Sequence, residues 1–187
     1  MRALTPFLTI AVAACVLMEA PVAGAQTTTV GAYGIAEVKG GLLAHDVPDL
    51  WSGFSLERRA IDVNMEMLFS GVRFLGGTLA PAIGGTVNTR GDTSHAYLDA
   101  RWQLELPYNL FLGTGVGVAV HDGLIDPVAN DKKALGSRAL FHIPLELGVR
   151  LDARNSVSVY FEHTSNAGVA NYNEGMDRLG IRYGYRF

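Results

Sequence analysis

The stretch Leu98-Asp99-Ala100-Arg101-Trp102-Gln103-Leu104-Glu105-Leu106 decides the fold, because apolar and polar residues alternate along its whole length. A period of two is that of a β-strand whose two faces meet different surroundings. The same alternation runs through residues 61–69 and 141–150. A soluble sandwich also alternates, but its strands are usually shorter and its polar face looks out to water. Here the polar face carries charges of both signs over strands of ~10 residues, which favours a barrel with a polar interior and an apolar outer wall.

Turn signals divide the chain into four hairpins, and eight is an even number of strands, as bacterial barrels require. We therefore predict an all-β fold, an eight-stranded antiparallel transmembrane β-barrel, in which inward charges form ion pairs that fill the lumen. The predicted strands are 32–43, 56–70, 77–89, 94–106, 109–121, 138–151, 155–165 and 177–187. The predicted lumen residues are Glu66, Asp99, Arg101, Glu105, Glu146 and Arg150.

Composition supports a membrane barrel and argues against nucleic-acid binding. The chain is 49% hydrophobic and contains 22 glycines, yet no apolar stretch past residue 25 is long enough to form a transmembrane helix. The net charge is −3 and the basic residues form no run, so the electrostatic footprint of a nucleic-acid-binding protein is missing. The alternating segment 177–187 ends on Phe187, which resembles the C-terminal signal of bacterial outer-membrane proteins.

Residues 1–25 read as a secretory signal peptide, with Arg2, an apolar run over residues 3–18 and the small-residue pattern Ala23-Gly24-Ala25 before the cleavage point. The remaining residues, 26–187, are then one outer-membrane β-barrel domain. The only cysteine, Cys15, lies in the signal peptide, so thiol catalysis is excluded for the mature chain. An alternative is that the four residues ending at Cys15 are a lipoprotein cleavage box, in which case Cys15 carries lipid.

The last hairpin breaks the alternation with polar residues on the face that should meet lipid. His163 and Ser165 follow Val159 and Phe161 on the outward face of the seventh strand, and Asp177 begins the outward face of the eighth. Residues two apart on a strand are ~6.6 Å apart, and opposed Cβ atoms in a hairpin are ~5 Å apart. The three groups can therefore form a hydroxyl nucleophile, an imidazole base and an orienting carboxylate. The alternative is that they lie singly in the headgroup layer.

Residues 161–168, Phe-Glu-His-Thr-Ser-Asn-Ala-Gly, followed by residues 173–177, Asn-Glu-Gly-Met-Asp, resemble the C-terminal motif of the lipid A 3-O-deacylase (PagL) family. The dense match covers about 17 residues. Beyond it the resemblance is general, in length, strand number and a glutamate-containing strand near Glu66. The resemblance implies an outer-membrane enzyme that hydrolyses the 3-O-linked acyl ester of lipid A and releases a 3-hydroxy fatty acid.

Carried over residue by residue, the resemblance makes His163 the general base and Ser165 the nucleophile, with Asn166 and the Gly168 backbone as oxyanion donors. Asp177 departs from the family pattern, in which glutamate is the usual orienting acid. Glu174 is the alternative carboxylate, although strand parity places it on the opposite face, in the turn.

The substrate implied is lipid A, which reaches the outer wall laterally, with its acyl chain along the apolar face formed by Val159, Phe161, Leu179 and Ile181. No metal or organic cofactor is implied, and the oligomeric state stays open. Two His-Asp pairs, 45–46 and 121–122, lie at strand ends beside turns, where such residues are common without a metal ligand, so we predict no metal site there. The alternatives are a non-catalytic structural or transport barrel and an enzyme that transfers the acyl chain to another lipid.

Overall fold

The computed structural model describes residues 34–187 of the chain. The signal peptide predicted over residues 1–25, the lipoprotein alternative at Cys15 and the start of the first predicted strand lie outside the described residues. The described part is built of antiparallel β-strands joined by turns and loops. The strands are β1 Ile35–Ala44, β2 Ile61–Phe69, β3 Val72–Phe74, β4 Gly77–Asn88, β5 His95–Glu105, β6 Leu110–His121, β7 Ala139–Arg150, β8 Asn155–Ser165 and β9 Met176–Arg186.

The strands close into a barrel because β2, at one end of the sheet order, also pairs with β4 near the other end. The order is β2-β1-β9-β8-β7-β6-β5-β4-β3, and an additional pairing of β2 with β4 closes the circle. β2 pairs with the later part of β4 and the short β3 pairs with its first residues, so β2 and β3 together act as one interrupted strand. The predicted eight-stranded antiparallel barrel is thereby confirmed.

The predicted strands agree with the observed ones, apart from the beginning of the second strand and the short β3. Residues 56–60 were predicted to be strand, but β2 begins at Ile61. Glu57 explains the difference, because its buried carboxylate accepts hydrogen bonds from Thr93, and this holds the segment in a loop folded over the barrel end. The β3 segment was not predicted, since only three residues continue the pairing beyond the break at residues 70–71.

The lumen is filled by charged side chains, as the sequence analysis predicts. Lys39, Arg101 and Arg182 converge on Glu146, with nitrogen–oxygen distances of 2.9, 2.9 and 2.7 Å. Arg182 also pairs with Glu66 at 3.3 Å. Each of these five side chains is almost completely buried. A buried charge is tolerated only when it is paired, and the lumen meets that requirement with converging ion pairs.

The outer wall is apolar and exposed in the isolated chain, as a lipid-facing surface should be. The exposed large side chains come from strands all around the barrel and include Leu42, Met65, Leu98, Val118, Val159 and Ile181. Inward and outward residues alternate along β2 without interruption. No helix within residues 34–187 is long and apolar enough to cross a membrane.

The two ends of the barrel differ in the length of their connections. Residues 75–76, 106–109 and 151–154 make tight turns at one end, while the loops 45–60, 122–138 and 166–175 extend from the other. Bacterial barrels have short periplasmic turns and longer extracellular loops, so the long-loop end is the extracellular end. Ser165 ends β8 on that side and Met176 begins β9 there, which places the last hairpin's polar residues at the extracellular rim.

Candidate active site

The pairing of β8 with β9 places His163 directly opposite Asp177. His163 Nδ1 lies 2.6 Å from Asp177 Oδ1, and His163 Nε2 lies 2.9 Å from Ser165 Oγ. With Nδ1 donating to the carboxylate, Nε2 is free to accept the serine proton. The structure therefore brings together the three residues named from the sequence, in the order serine hydroxyl, imidazole and carboxylate.

Asp177 reaches His163 although its side chain is one methylene shorter than that of glutamate. Its second oxygen, Oδ2, accepts two hydrogen bonds from Ser52, one from the backbone N at 2.6 Å and one from the hydroxyl at 3.0 Å. The carboxylate is completely buried and is bonded on both sides. Ser52 therefore holds the carboxylate oxygen that does not contact His163, and it does so from a loop 125 residues away in the sequence.

Trp51 covers the imidazole of His163. The two rings are stacked, with centroids 4.6 Å apart and planes inclined by 11°. His163 is only 4% exposed although it lies on the outward face of β8. The imidazole is thus shielded by the protein's own β1–β2 loop, and not left facing lipid as strand parity alone suggested.

The β1–β2 loop, residues 45–60, is held in place by Lys133 of the β6–β7 loop. The buried ammonium of Lys133 lies 2.7 Å from Asp46 Oδ1 and donates to the Phe54 carbonyl at 2.7 Å and to Ser52 Oγ at 3.3 Å. Asp46 in turn accepts hydrogen bonds from the backbone N atoms of Leu56 and Glu57. Sequence reasoning missed Trp51, Ser52 and Lys133, because no local pattern connects these loops to the last hairpin.

A second anchor of the same loop lies between two acids. His45 contacts Asp62 Oδ2 through Nδ1 at 2.7 Å and Glu57 Oε2 through Nε2 at 2.8 Å. Burial disfavours the charged form of His45 and by itself lowers its pKa. The hydrogen bonds to Asp62 and Glu57 outweigh this effect, and the pKa of His45 is raised. Burial likewise opposes ionisation of Glu57, but hydrogen bonds from His45 and Thr93 lower its pKa to about 2. The His45 ring therefore lies between two carboxylates that favour its charged form.

The turn after β8 uses the two predicted oxyanion donors in its own hydrogen bonds. The Asn166 amide nitrogen donates to the carbonyls of Leu135 and Tyr172, and the Gly168 backbone N donates to Asn166 Oδ1. Asn166 is buried, and it ties the turn to the β6–β7 loop. Asn166 Nδ2 and Gly168 N thus both donate within the protein, and their role as oxyanion donors stays a prediction.

Glu174, the alternative acid, is directed away from the imidazole nitrogen that Asp177 occupies. Its carboxylate accepts a hydrogen bond from the backbone N of Ala134, and its own N donates to the Ala134 carbonyl. Next to it, Gly175 has a φ of 61°, and an added Cβ there would lie 3.2 Å from His163 Cε1. Glycine at 175 thus gives the turn its positive φ and leaves room for the imidazole.

Ser165, His163 and Asp177 form a hydrogen-bonded triad. A cavity of about 460 Å³ opens beside this triad, and its walls include Trp51, Ser165, Val116, Phe141 and Ile143. A second, largely apolar cavity of about 450 Å³ shares Phe141 and continues along Val118 and Val169. An acyl chain was expected on the β8–β9 face along Val159, Phe161, Leu179 and Ile181. The two cavities border β6 and β7 through Val116, Val118 and Phe141, which is a different face of the wall from the one expected.

In each of the two His-Asp pairs, 45–46 and 121–122, the histidine and the aspartate bind different partners. His45 binds the two acids described above, and Asp46 binds Lys133. His121 Nε2 donates to the Ser137 carbonyl at 2.7 Å, while Asp122 accepts from the Ser94 backbone N. Neither pair therefore converges on a shared point, as two ligands of one metal must.

Fold and site together define the class: a small outer-membrane β-barrel with a hydrogen-bonded Ser-His-Asp set on its extracellular rim. The chain belongs to the lipid A 3-O-deacylase (PagL) family, whose model matches residues 71–186. That match contains His163, Ser165 and Asp177 but not the β1–β2 loop.

Solved structures of two outer-membrane proteins resemble the barrel. The outer-membrane enzyme PagL superposes with a TM-score of 0.60 at 20% identity, over 81% of this chain and 100% of that one. Neisserial surface protein A gives a TM-score of 0.51 at 9% identity, over 82% of this chain and 97% of that one. At these identities the likeness concerns the fold alone. No curated protein sequence matches the chain closely enough to count as a relative.

Proposed function

We propose that the protein hydrolyses the 3-O-linked acyl ester of lipid A in the outer membrane, with Ser165 as nucleophile, His163 as general base and Asp177 as orienting acid. The observation that carries the proposal is the continuous hydrogen-bonded series Ser165–His163–Asp177 on the outer wall, beside a cavity that Val116, Phe141 and Ile143 help to line. Membership of the lipid A 3-O-deacylase family supports the choice of substrate.

The reaction follows from the geometry of the triad. Ser165 Oγ attacks the ester carbonyl while His163 Nε2, 2.9 Å away, takes its proton. Asp177 stabilises the imidazolium that results, and its hydrogen bonds from Ser52 keep it ionised and in place. Collapse of the tetrahedral intermediate expels the sugar hydroxyl of lipid A, which receives the proton from His163. Water then attacks the acyl-enzyme, with His163 again as base, and releases the 3-hydroxy fatty acid.

The oxyanion of the intermediate needs hydrogen-bond donors that are not already engaged. Asn166 and Gly168 donate within the turn, as described above. Ala167 lies between them with a φ of 55°, lines the cavity beside Ser165 and donates no hydrogen bond among the turn and loop contacts of the described residues. We assign the Ala167 backbone N–H as the oxyanion donor and give Asn166 and Gly168 the role of fixing its direction.

A lipid substrate reaches this site without entering the lumen. The triad lies at the extracellular rim, where the ester of a lipid anchored in the membrane would be found, and the apolar side chains Val116, Val118 and Phe141 lead from it along the wall. The lumen itself is filled by ion pairs and offers no path for an acyl chain. The shape of the site thus favours lateral access from the bilayer.

Mass spectrometry of lipid A from Gram-negative cells that express the protein tests the proposal. We expect the loss of one 3-hydroxyacyl chain from the 3-position and an equal amount of free 3-hydroxy fatty acid, with neither change in cells that express Ser165→Ala. An acylated phospholipid in place of the free acid would show transfer instead of hydrolysis. Unchanged lipid A in the presence of folded wild-type barrel would contradict the proposed activity.

A further inference from the structure

Inside the lumen, behind the wall that carries the triad, three potential metal ligands converge. His95 of β5, His142 of β7 and Glu162 of β8 are all buried, and one ligand atom from each lies within 4.8 Å of the others. His95 Nε2 is 3.4 Å from Glu162 Oε1, and His142 Nε2 is 3.3 Å from Glu162 Oε2. Zinc bound at its usual distances of about 2.0–2.2 Å in a tetrahedron holds neighbouring ligand atoms about 3.4 Å apart.

The contacts of His142 direct its Nε2 at a carboxylate oxygen, at a distance that suits a metal ion between them. Its Nδ1 lies 2.9 Å from both oxygens of Asp99, so Nδ1 carries a hydrogen and donates it to that carboxylate. In the neutral ring, Nε2 then has a lone pair, and it faces a carboxylate oxygen of Glu162. Two acceptors can adjoin only with a proton or a metal ion between them. A charge-assisted hydrogen bond is usually about 2.7–2.9 Å long, so the 3.3 Å separation fits the metal better.

His95 provides an independent observation. Neither of its ring nitrogens has a hydrogen-bond partner among the described residues, although the side chain is buried. Leaving a buried polar group unpaired costs about 1–3 kcal/mol, so a bare imidazole here calls for a ligand. Its Nε2 lies 3.4 Å from Glu162 Oε1, so the ring already faces the carboxylate that His142 also contacts.

The surrounding residues have the arrangement that usually accompanies a metal-bound histidine. Such a histidine donates its other nitrogen to a carboxylate, as His142 does to Asp99. The β6 strand, which lies between β5 and β7, has Gly117 opposite both residues. An added Cβ at 117 would lie 2.0 Å from Asp99 Oδ1, so only glycine leaves Asp99 room to reach His142. Thr86 donates to Glu162 Oε1 at 3.0 Å and orients that ligand as well.

The charges of the lumen point the same way. In its periplasmic half the carboxylates are matched by lysine and arginine, as at Glu146. In the extracellular half, Asp99 has no lysine or arginine within 4.0 Å among the described residues, and Arg178, which is 3.7 Å from Glu162, pairs more closely with Asp62 at 2.5 Å. Asp99 and Glu162 thus face two imidazoles and one arginine that is shared with Asp62, and a divalent cation would add the positive charge that this half of the lumen lacks.

We propose that His95, His142 and Glu162 form a binding site for a divalent transition metal, best suited to Zn²⁺, inside the extracellular half of the barrel. Two imidazoles and one carboxylate suit zinc and not calcium or magnesium, and water completes the tetrahedron. A metal bound there would tie β5, β7 and β8 together behind the active-site wall. The site does not depend on the proposed deacylation, because Glu162 points into the lumen whereas the neighbouring His163 points outward.

The direct test is the zinc content of the folded barrel. The full chain is purified in detergent, treated with EDTA, dialysed against Zn²⁺ alone, and analysed by elemental mass spectrometry, with the heat-dependent shift in gel mobility as the check of folding. We expect one Zn²⁺ per chain for the wild type and visible d–d bands of tetrahedral geometry when Co²⁺ replaces it. His95→Asn and Glu162→Gln should abolish stoichiometric binding, and Asp99→Asn should weaken it about 10- to 100-fold.

Two histidines outside the cluster give matched controls. His163→Ala removes the active-site imidazole and His45→Gln removes another buried one, and both variants should retain one zinc. Zinc that persists in His95→Asn, or that disappears in His163→Ala, would overturn the proposal. If a variant fails to fold, the thermal midpoint of the wild type with and without zinc tests the proposal. Zinc at a hundredfold excess over its dissociation constant shifts the ratio of folded to unfolded protein about 100-fold, so the thermal midpoint should rise. A midpoint that does not respond to zinc or EDTA would also overturn it.

Discussion

The active site combines two regions that relate to the sequence in opposite ways, the β8–β9 hairpin and the β1–β2 loop. The hairpin carries His163, Ser165 and Asp177, and their relative positions follow from strand pairing alone. The loop contributes Trp51 and Ser52, which reach the same residues from more than a hundred positions away. The hairpin therefore determines which chemical groups meet, whereas the loop determines how the base is shielded and how the acid is held.

The two regions also differ in what stabilises them. The hairpin is fixed by the hydrogen bonds of a closed sheet, which leave it no alternative register without turning its apolar face into the lumen. The loop is fixed by a few buried contacts of Lys133, Asp46 and His45. Substitutions in the hairpin should therefore affect the chemistry itself, and those in the loop should act through the position and exposure of the triad.

The largest effect is expected from Ser165→Ala and His163→Ala. Removal of a nucleophile or its base costs up to about six orders of magnitude in rate in well-studied serine hydrolases, and only background activity should remain. Both side chains lie on the outer wall, so the barrel should keep its heat-dependent gel mobility. The measurement is deacylation of purified lipid A by the folded variants. Substantial activity in Ser165→Ala would remove Ser165 from the role of nucleophile.

Asp177→Asn should lower the rate by about four orders of magnitude, because the imidazolium loses its counter-charge while the shape of the site is kept. Glu174→Gln is the matched control and should change little, since Glu174 contacts Ala134 and not the imidazole. Asp177→Glu should lower activity, because a longer side chain would displace the carboxylate from the positions in which it is bonded to His163 and Ser52. The opposite ranking of Asp177→Asn and Glu174→Gln would place the orienting acid in the turn.

Lys133→Met should lower activity about 10- to 100-fold without removing any group of the triad. The substitution leaves Asp46 buried and unpaired and frees Ser52, and breaking a buried ion pair costs about 3–5 kcal/mol, enough to open the loop locally. Hydrogen exchange of residues 51–57 should rise in parallel. Lys132→Met, one position away, removes a partly exposed side chain that pairs with Asp92 and serves as the control. Equal effects of the two variants would mean that the loop does not depend on Lys133.

Trp51→Ala should reduce the rate about tenfold, because stacked aromatic pairs contribute about 0.5–1.5 kcal/mol and the exposed imidazole loses its fixed orientation. Trp51→Phe should recover most of the activity, since a phenyl ring can stack in the same way. Leu50→Ala changes an exposed neighbour in the same loop and should be neutral. A fully active Trp51→Ala would show that covering His163 plays no part in catalysis.

The smallest effect concerns the pH dependence of the loop. The pKa of Glu57 is lowered from 4.5 to about 2, so its contribution is complete above pH 4.5 and is lost as the pH falls toward 2. The pKa of His45 is raised above 6.5, so its contribution is complete below pH 6.5 and is lost as the pH rises through the raised value. Protection of the Ser52 amide, corrected for intrinsic exchange, should therefore be greatest between pH 4.5 and 6.5. His45→Gln should abolish the decline on the alkaline side.

The alternation of residues predicted most of the strand bounds, because a period of two is that of a β-strand. The length of the strands and the charges of both signs on their polar face then favoured a barrel over a soluble sandwich. The alternation failed at residues 56–60, where a chain that reads as strand is drawn into a loop by the contacts of Glu57 with Thr93. It also could not show the interruption between β2 and β3 at residues 70–71. Both failures lie where tertiary contacts replace the local pairing pattern.

The sequence by itself determined the eight-stranded barrel, its charged lumen and the meeting of His163, Ser165 and Asp177, since parity and hairpin pairing act over short distances along the chain. Only the tertiary structure decided that Ser52 completes the setting of Asp177, that Trp51 covers His163 and that Lys133 holds both in place. It alone also placed His95, His142 and Glu162 around one point of the lumen. The physical reason is closure: side chains from distant strands and loops become neighbours only when the sheet curves into a barrel, and no local periodicity records which of them will meet.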